Sequence, residues 1–357
     1  MASSKENNRP VQIFLYNKKC EVSVPLNAEC CENIWRKLAR CELNVKPHAL
    51  ELFGLRQNGL WLAPGSKVPI NDTVPLELRL RFKPPNAERL KNVDYQSFCY
   101  FYDQVRYDFD QSRLLKPIAK EILKEIDTRK IRWYVPLVPT ASNKDKPELN
   151  AARDKRKKLL VAIVQVASLN IIIDIHTQKK TKEDVFKDFD AYIPKEVWSS
   201  SAEKMLAFNK FRQTAWELVD TLMARKFSVD QLKIHFLNEI QASFFSYFEE
   251  TYAKVELRDL ASKVVTNVTL KILPPLKLHM PPNEEKEAHL CAFNHNTQEE
   301  INLCTIEEIC NISSTSLGTS EETVNVEIAR KNGVPIYLTI KNRSALSFLT
   351  ALCGYYR

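Results

Sequence analysis

The first section of the chain alternates strand-like and helix-like patterns of apolar residues. The segments VQIFLY (11–16) and CEVSVP (20–25) are short, β-branched and separated by three residues, which predicts a β-hairpin. Apolar residues then recur every three or four positions from Cys30 to Cys41, as in an amphipathic helix. Further strand-like runs follow at 49–55, 60–62 and 76–82. The order ββαβββ predicts a ubiquitin-like β-grasp lobe over residues 10–85.

The middle section changes to the apolar period of helices. Its helical patterns are an aromatic stripe from Tyr95 to Phe109 and the stretches 149–175, 197–222 and 229–248. The most apolar run, Leu159 to Ile175, is interrupted by polar residues such as Asp174, so we expect a buried helix and not a membrane span. An all-helical lobe is therefore predicted over residues 93–255.

The last section returns to a period of two. Alternating runs occur at 264–272, 288–293, 300–304, 306–312, 322–329 and 334–340. The final segment, Ser344 to Tyr356, places its apolar residues on one helical face. Strands closed by a C-terminal helix predict a pleckstrin-homology-like β-sandwich over residues 260–357, and the whole chain is predicted to be an α+β multidomain protein.

Composition narrows the possible chemistry. Six glycines in 357 residues are few, and no glycine-rich phosphate-binding loop occurs, so we predict no nucleotide cofactor and no catalytic residues. The nine cysteines form no zinc-spaced cluster, which favours reduced thiols and no metal site. The formal net charge of +8 favours anionic surfaces but is too diffuse for a dedicated nucleic-acid binder. The N-terminus lacks an apolar signal-peptide core, so we expect a cytoplasmic protein.

The three lobes in this order resemble a FERM domain, whose helical lobe is similar to acyl-CoA-binding protein. Several segments are similar to the Janus kinases within that group: LFGL (52–55) with LWLAP (60–64), LRLRF (78–82), VDYQSFCYF (93–101), YIP (192–194), QLKIHFL (231–237) and ALSFLTALCGYYR (345–357). The resemblance implies a divergent Janus-type chain that stops before the Src-homology-2-like, pseudokinase and kinase domains. This chain is then not an enzyme, although a longer parent protein would be a tyrosine kinase.

The resemblance also implies a binding site in the helical lobe for the proline-rich membrane-proximal segment of a cytokine-receptor tail. Its groove positions fall at Leu206, Leu218 and Leu222, with Trp216 adjacent. The alternative is that they are ordinary residues of the bundle core, which is the commoner explanation for apolar residues at helical spacing.

A basic stretch could lie against anionic lipids of the inner leaflet, which would place the chain at the inner face of the plasma membrane or of endomembranes. Its members are Arg153, Lys155, Arg156, Lys157 and Lys158, followed beyond the predicted helix by Lys179, Lys180 and Lys182. The alternative is a solvated helix start and loop, where lysines are common. The alternative to receptor docking is a FERM adaptor of the band-4.1 or focal-adhesion type, which links membrane proteins to the cytoskeleton.

Overall fold

A computed structural model describes residues 10–25, 30–68, 74–115, 147–197, 201–259, 264–277, 285–316 and 323–356. The fold is mixed α and β, as predicted. The chain divides into two compact units. The first unit combines the residues up to Gln104 with those from Phe248 onward, and the second, here called the helical unit, contains Val105–Tyr247.

The N-terminal part of the first unit is a five-stranded sheet with one helix. Its elements are β1 (Val11–Leu15), β2 (Cys20–Val24), α1 (Cys31–Cys41), a 3₁₀ turn (Pro47–Leu52), β3 (Phe53–Gln57), β4 (Leu60–Trp61) and β5 (Leu76–Leu80). The strand order is β2-β1-β5-β3-β4, with β1 and β5 parallel. Alternate residues of β1, including Ile13 and Leu15, are fully buried, as are Ile34 of α1 and Leu78 of β5. The β-grasp prediction is confirmed, including its hairpin.

The C-terminal part of the first unit is a seven-stranded antiparallel sheet of order β11-β10-β7-β6-β14-β13-β12. Its strands are β6 (Glu250–Arg258), β7 (Val265–Leu273), β10 (His289–Asn294), β11 (Glu299–Thr305), β12 (Ile309–Ser316), β13 (Thr323–Arg330) and β14 (Ile336–Lys341), beside a small pair β8 (Leu276–Lys277) and β9 (Glu285–Lys286). The helix α8 (Asn342–Tyr356) closes the core through Ala345, Phe348 and Leu352.

Strand β6 was not predicted, and it begins within the range expected to be helical. Its register shifts between Tyr252 and Val255, and Lys254 has a positive φ of 61°. Such a bulge adds a residue and interrupts the alternation of buried and exposed positions. The period-of-two signal over 250–258 is consequently too weak to reveal the strand from sequence.

Two helices lead out of the five-stranded sheet: α2 (Ala87–Val93) and α3 (Tyr95–Asp110). The first half of α3 packs on that sheet, because the Tyr100 hydroxyl donates to the Leu78 carbonyl over 2.7 Å and the Gln104 side chain accepts from the Leu80 backbone N–H. The second half of α3 belongs to the helical unit. A single helix thus supplies residues to both units.

The helical unit also contains α4 (Pro147–Gln178), α5 (Lys182–Lys187), 3₁₀ turns at Phe189–Tyr192 and Lys195–Val197, α6 (Ser201–Ala224) and α7 (Val229–Ser243). Within the described ranges, the segment Lys157–Gln178 is the one helix long and apolar enough to cross a membrane, but 67% of its most apolar window is buried inside the fold. Its Asp174 accepts two hydrogen bonds from Arg106, at 2.8 and 2.6 Å, and one from Tyr192. The polar residue in this apolar run is therefore a satisfied member of the core, as expected for a buried helix.

Candidate binding surfaces

A buried ionic network joins the two sheets of the first unit. The Arg81 guanidinium donates to both carboxylate oxygens of Glu250, at 2.9 and 2.8 Å, and to the Ser347 carbonyl. The Tyr252 hydroxyl donates to the same carboxylate. Burial disfavours the charge on Arg81, but the Glu250 carboxylate outweighs burial and raises the pKa of the guanidinium. Burial and then the same carboxylate raise the pKa of Tyr252. Arg81 and Tyr252 therefore keep their protons at neutral pH, and their hydrogen bonds have a structural role.

Next to this network lies a cleft of about 570 Å³. Its walls are the edge strand β4, the start of β6 and the first turn of α8, and its lining includes Leu60, Trp61, Lys67, Thr251 and Leu346. Leu60 and Leu346 are 50% and 55% exposed. The volume is that of a small-ligand or peptide pocket. Sequence reasoning did not find this cleft, because its walls come from distant segments.

Gly354 and Tyr355, which belong to the segment that carries the family resemblance, pack against the end of the five-stranded sheet. A Cβ atom at Gly354 would lie 2.3 Å from the Phe82 ring, so no larger residue fits there without movement. The Tyr355 ring meets Phe82 edge-on at 5.3 Å, and its hydroxyl donates to the Arg81 carbonyl over 3.3 Å. Tyr356 is 58% exposed. One aromatic residue of this pair packs and the other faces solvent.

In the helical unit, α6 carries the predicted groove residues on two different flanks. Ala215 and Val219 are fully buried and define its inner face. Leu218 and Leu222 are half-buried and one turn apart, so they share one flank. Trp216 lies about 200° around the helix from Leu218, at about 100° per residue, and is on the other flank. The structure therefore does not bring Trp216 together with these two leucines, and the side chain of Leu206 lies outside the described residues.

The flank of α6 that carries Trp216 is covered by α5. The Lys182 ammonium lies 3.6 Å from the centroid of the Trp216 ring and also contacts the Asp220 carboxylate. The Phe186 ring packs edge-on against Trp216 at 4.7 Å. Only 10% of the Lys182 side chain is exposed. Lys182 is thus engaged inside the unit and is poorly placed to face a membrane.

The other predicted basic residues do not form one patch. Lys157 and Lys158 are exposed near the start of α4, and Lys179 and Lys180 are exposed just after its end. About 30 Å of helix separates the two pairs, whereas charges are screened over about 8 Å at physiological salt. The two lysine pairs therefore act as separate positive charges and not as one patch. The side chains of Arg153, Lys155 and Arg156 lie outside the described residues.

All nine cysteines are free thiols. Burial raises the pKa of Cys291 and of Cys304 to about 11, so both stay protonated and unreactive at neutral pH. Among the residues that the structure describes, no three His, Cys, Asp or Glu side chains are grouped so that they could hold a metal ion.

Solved structures with the same arrangement decide the architecture. The MyTH4-FERM MF2 domain of myosin VII from Dictyostelium discoideum matches with a TM-score of 0.55 and 11% identity, over 98% of this chain and 58% of that structure. The complex of the FERM and C-terminal domains of Drosophila Merlin matches with a TM-score of 0.52 and 12% identity, over 98% of this chain and 95% of that one. The chain has the FERM fold.

The FERM fold confirms the three-lobed architecture expected from sequence. This chain spans 58% of the length of the myosin VII structure that it matches. Neither a protein-family model nor a curated protein sequence matches the chain. At 11–12% identity the structural matches establish the fold and no subfamily, so the Janus-kinase assignment stays a prediction. A fold does not by itself determine a function, so the function of this chain has to be argued from the surfaces described above.

Proposed function

We propose that this FERM domain docks a Janus-type tyrosine kinase on the membrane-proximal cytoplasmic tail of a cytokine receptor. The observation that supports the proposal most directly is the half-buried edge formed by Leu218 and Leu222 on α6, beside the buried Ala215 and Val219. Residues that served only the bundle core would be buried like their neighbours. An extended proline-rich peptide could place aliphatic side chains against this pair, as peptides do in apolar grooves between helices.

The packing of the C-terminal segment is a second, weaker support. The similarity to Janus kinases is densest in ALSFLTALCGYYR. In this segment Ser347 and Tyr355 accept from and donate to Arg81, and Gly354 packs against Phe82, both residues of the β-grasp lobe. In this reading the helix α8 fixes the lobe from which the kinase would continue. The protein would act at the cytoplasmic face of a membrane, where receptor tails begin.

The test is a fluorescence-anisotropy titration of the purified chain against a labelled proline-rich receptor juxtamembrane peptide. We expect Leu218→Asp to weaken binding at least tenfold, because a carboxylate on the apolar edge would be desolvated by the peptide. Val161→Asp is the matched control: Val161 is 57% exposed on α4 of the same unit, and binding should not change. Equal binding by wild type and Leu218→Asp would refute the groove, and no binding by the wild type would refute receptor docking.

The competing function is that of a FERM adaptor linking membrane proteins to the cytoskeleton. It is favoured by the matched structures, since one is named as a myosin VII domain and the other as Merlin. Sequencing of the complete transcript separates the two functions. A Src-homology-2-like domain after the FERM domain would support receptor docking, and an actin-binding or motor region would support the adaptor.

A further inference from the structure

We infer that the cleft between β4 and the start of α8 binds an extended, acidic segment of a partner protein, which adds to β4 as a further strand. This is the cleft of about 570 Å³ described above, and all its walls belong to the first unit. None of its lining residues is part of the predicted receptor groove on α6, so the inference goes beyond the proposed function and does not depend on it. Its basis is a strand edge, two exposed leucines and an excess of positive charge.

The backbone of Trp61 forms the free edge of the five-stranded sheet. Strands β3 and β4 are joined by the two-residue turn Asn58-Gly59, whose φ angles of 49° and 81° are those of a type I′ hairpin turn. The residues that flank the turn pair with each other, and the Leu62 N–H donates to the Leu55 carbonyl over 2.9 Å. Because the direction of hydrogen bonding alternates along a strand, the N–H and C=O of Trp61 point away from β3. Within the described ranges β4 is the last strand of this sheet, so an added strand can pair with Trp61.

Two leucines from distant parts of the chain are exposed in the cleft. Leu60 of β4 and Leu346 of α8 are 50% and 55% exposed, and both belong to its lining. The core contacts of α8 are made by other residues, such as Ala345 and Phe348. In strand addition the main chain gives affinity, and contacts with alternate side chains give specificity. We therefore expect an aliphatic side chain of the added strand to contact these leucines.

The charges of the cleft favour an acidic segment. The charged side chains of the described lining are Arg56, Lys67, Glu249 and Glu250. Glu250 is already paired with Arg81. Burial disfavours the charge on Lys271, but the carboxylates of Glu300 and then Glu249 raise the pKa of that ammonium, so Glu249 is also engaged with a cation. Lys67 is exposed and forms no ion pair with any described residue. The remaining positive charge attracts a carboxylate of the bound segment.

A small phosphate ligand makes a different prediction. It would contact the cations, but it would leave the two exposed leucines and the edge of β4 uncovered. Its binding would therefore depend on Lys67 and would not depend on Leu346. A strand edge with flanking apolar side chains is instead the arrangement used for extended peptides. We assign the cleft to a peptide for this reason.

The test begins with a phage-displayed library of random peptides of about six residues, the usual length of a strand. Selection is made on the Leu218→Asp variant, so that the proposed receptor groove does not contribute. We expect the enriched peptides to combine aliphatic and acidic residues. A labelled enriched peptide is then titrated against the wild-type chain by fluorescence anisotropy. Leu346→Asp should weaken its binding at least about tenfold, because the peptide would desolvate the new carboxylate. Lys67→Gln should weaken it about two- to fivefold, as expected for loss of an exposed ion pair.

The matched controls are Val334→Asp and Lys331→Gln. Val334 is 70% exposed and Lys331 is exposed, and both lie in the turn before β14, whereas α8 begins after that strand. The six residues of β14 separate this turn from the start of α8 by about 20 Å. Neither control should change the affinity by more than about twofold. Melting temperatures of all four variants should stay close to that of the wild type, because each variant alters an exposed side chain.

Hydrogen exchange measured by NMR tests the strand addition itself. The bound peptide should slow the exchange of the Trp61 amide, and the Leu62 amide, which already donates to Leu55, is the internal reference. Unchanged exchange at Trp61 in the complex would overturn the inference, as would equal affinity of the wild type and Leu346→Asp. Failure to enrich any peptide would overturn it too, and binding of inositol trisphosphate in that case would assign the cleft to a phosphate ligand. Because the peptides are selected without the α6 groove, this inference and the proposed function can fail separately.

Discussion

Lys83 is a buried amine whose protonation should couple the stability of the first unit to pH. Lys83 comes shortly after strand β5 in the chain. Its Nζ donates to the Pro275 carbonyl over 2.8 Å and lies 5.2 Å from the centroid of the Phe248 ring. The residue is 5% exposed. Burial lowers the pKa of the amine from 10.5 to about 7, and no carboxylate of the described residues opposes the shift.

The sign of the pH dependence follows from proton binding. Between pH 7 and 10.5 the unfolded chain keeps the Lys83 proton and the folded chain has released it, so the free energy of unfolding rises with pH through this window. Below pH 7 both states are protonated and the folded state bears the whole cost of the buried charge. At about 1.4 kcal/mol per pKa unit, the full difference corresponds to an upper limit of about 5 kcal/mol.

The assay compares wild type with Lys83→Met in urea at pH values of about 6, 7.5 and 9. Methyl NMR signals of Val255 and Ile272, both fully buried, report unfolding of the first unit alone. We expect Lys83→Met to be the more stable protein at pH 6, and its advantage to shrink by about 1.4 kcal/mol for each pH unit above 7. A pH-independent difference would refute the reasoning, as would a Lys83 Cε signal that titrates near 10.5, the ordinary value of lysine.

Two further changes test the contacts that join the parts of the first unit. Arg81→Met should lower the free energy of unfolding by about 3–5 kcal/mol in urea, because Glu250 is left buried without its cation. The control Arg258→Met removes an exposed ion pair and should cost less than about 1 kcal/mol. Similar losses in the two variants would show that burial does not set the strength of the Arg81 pair. Gly354→Ala should cost about 1–3 kcal/mol because its methyl group meets the Phe82 ring, and Gly65→Ala, with no atom within 4 Å, should be close to neutral by thermal melting. An unchanged melting temperature for Gly354→Ala would show that α8 does not pack as described.

The parts of the fold that the sequence predicted are those determined by local patterns. The hairpin β1–β2 and the long helix α4 have an uninterrupted apolar period, which is read within a window of ten or twenty residues. Strand β6 was missed because the bulge at Lys254 breaks its period. The boundary between helical and β structure could not be placed for the same reason.

The candidate surfaces were less predictable, because they depend on which side of an element is covered. The sequence marks Trp216 and Leu218 equally as apolar residues of α6. Both are half-buried, and only the packing of α5 shows that Trp216 contacts Lys182 and Phe186 while Leu218 lies on the other flank. The contact of Arg81 with Glu250 spans 169 positions, which no local pattern can encode.

That separation of 169 positions has a consequence for synthesis on the ribosome. The five-stranded sheet is translated first, yet its Arg81 has no carboxylate partner until Glu250 leaves the exit tunnel. At about 5–20 residues per second, the delay is about 8–34 s. During that time the end of the central strand β5 exposes the Arg81 cation and the Phe82 ring, which in the finished protein contact Glu250 and Tyr355. We therefore expect chaperones to bind the nascent chain between these two points and to be released once β6 is added.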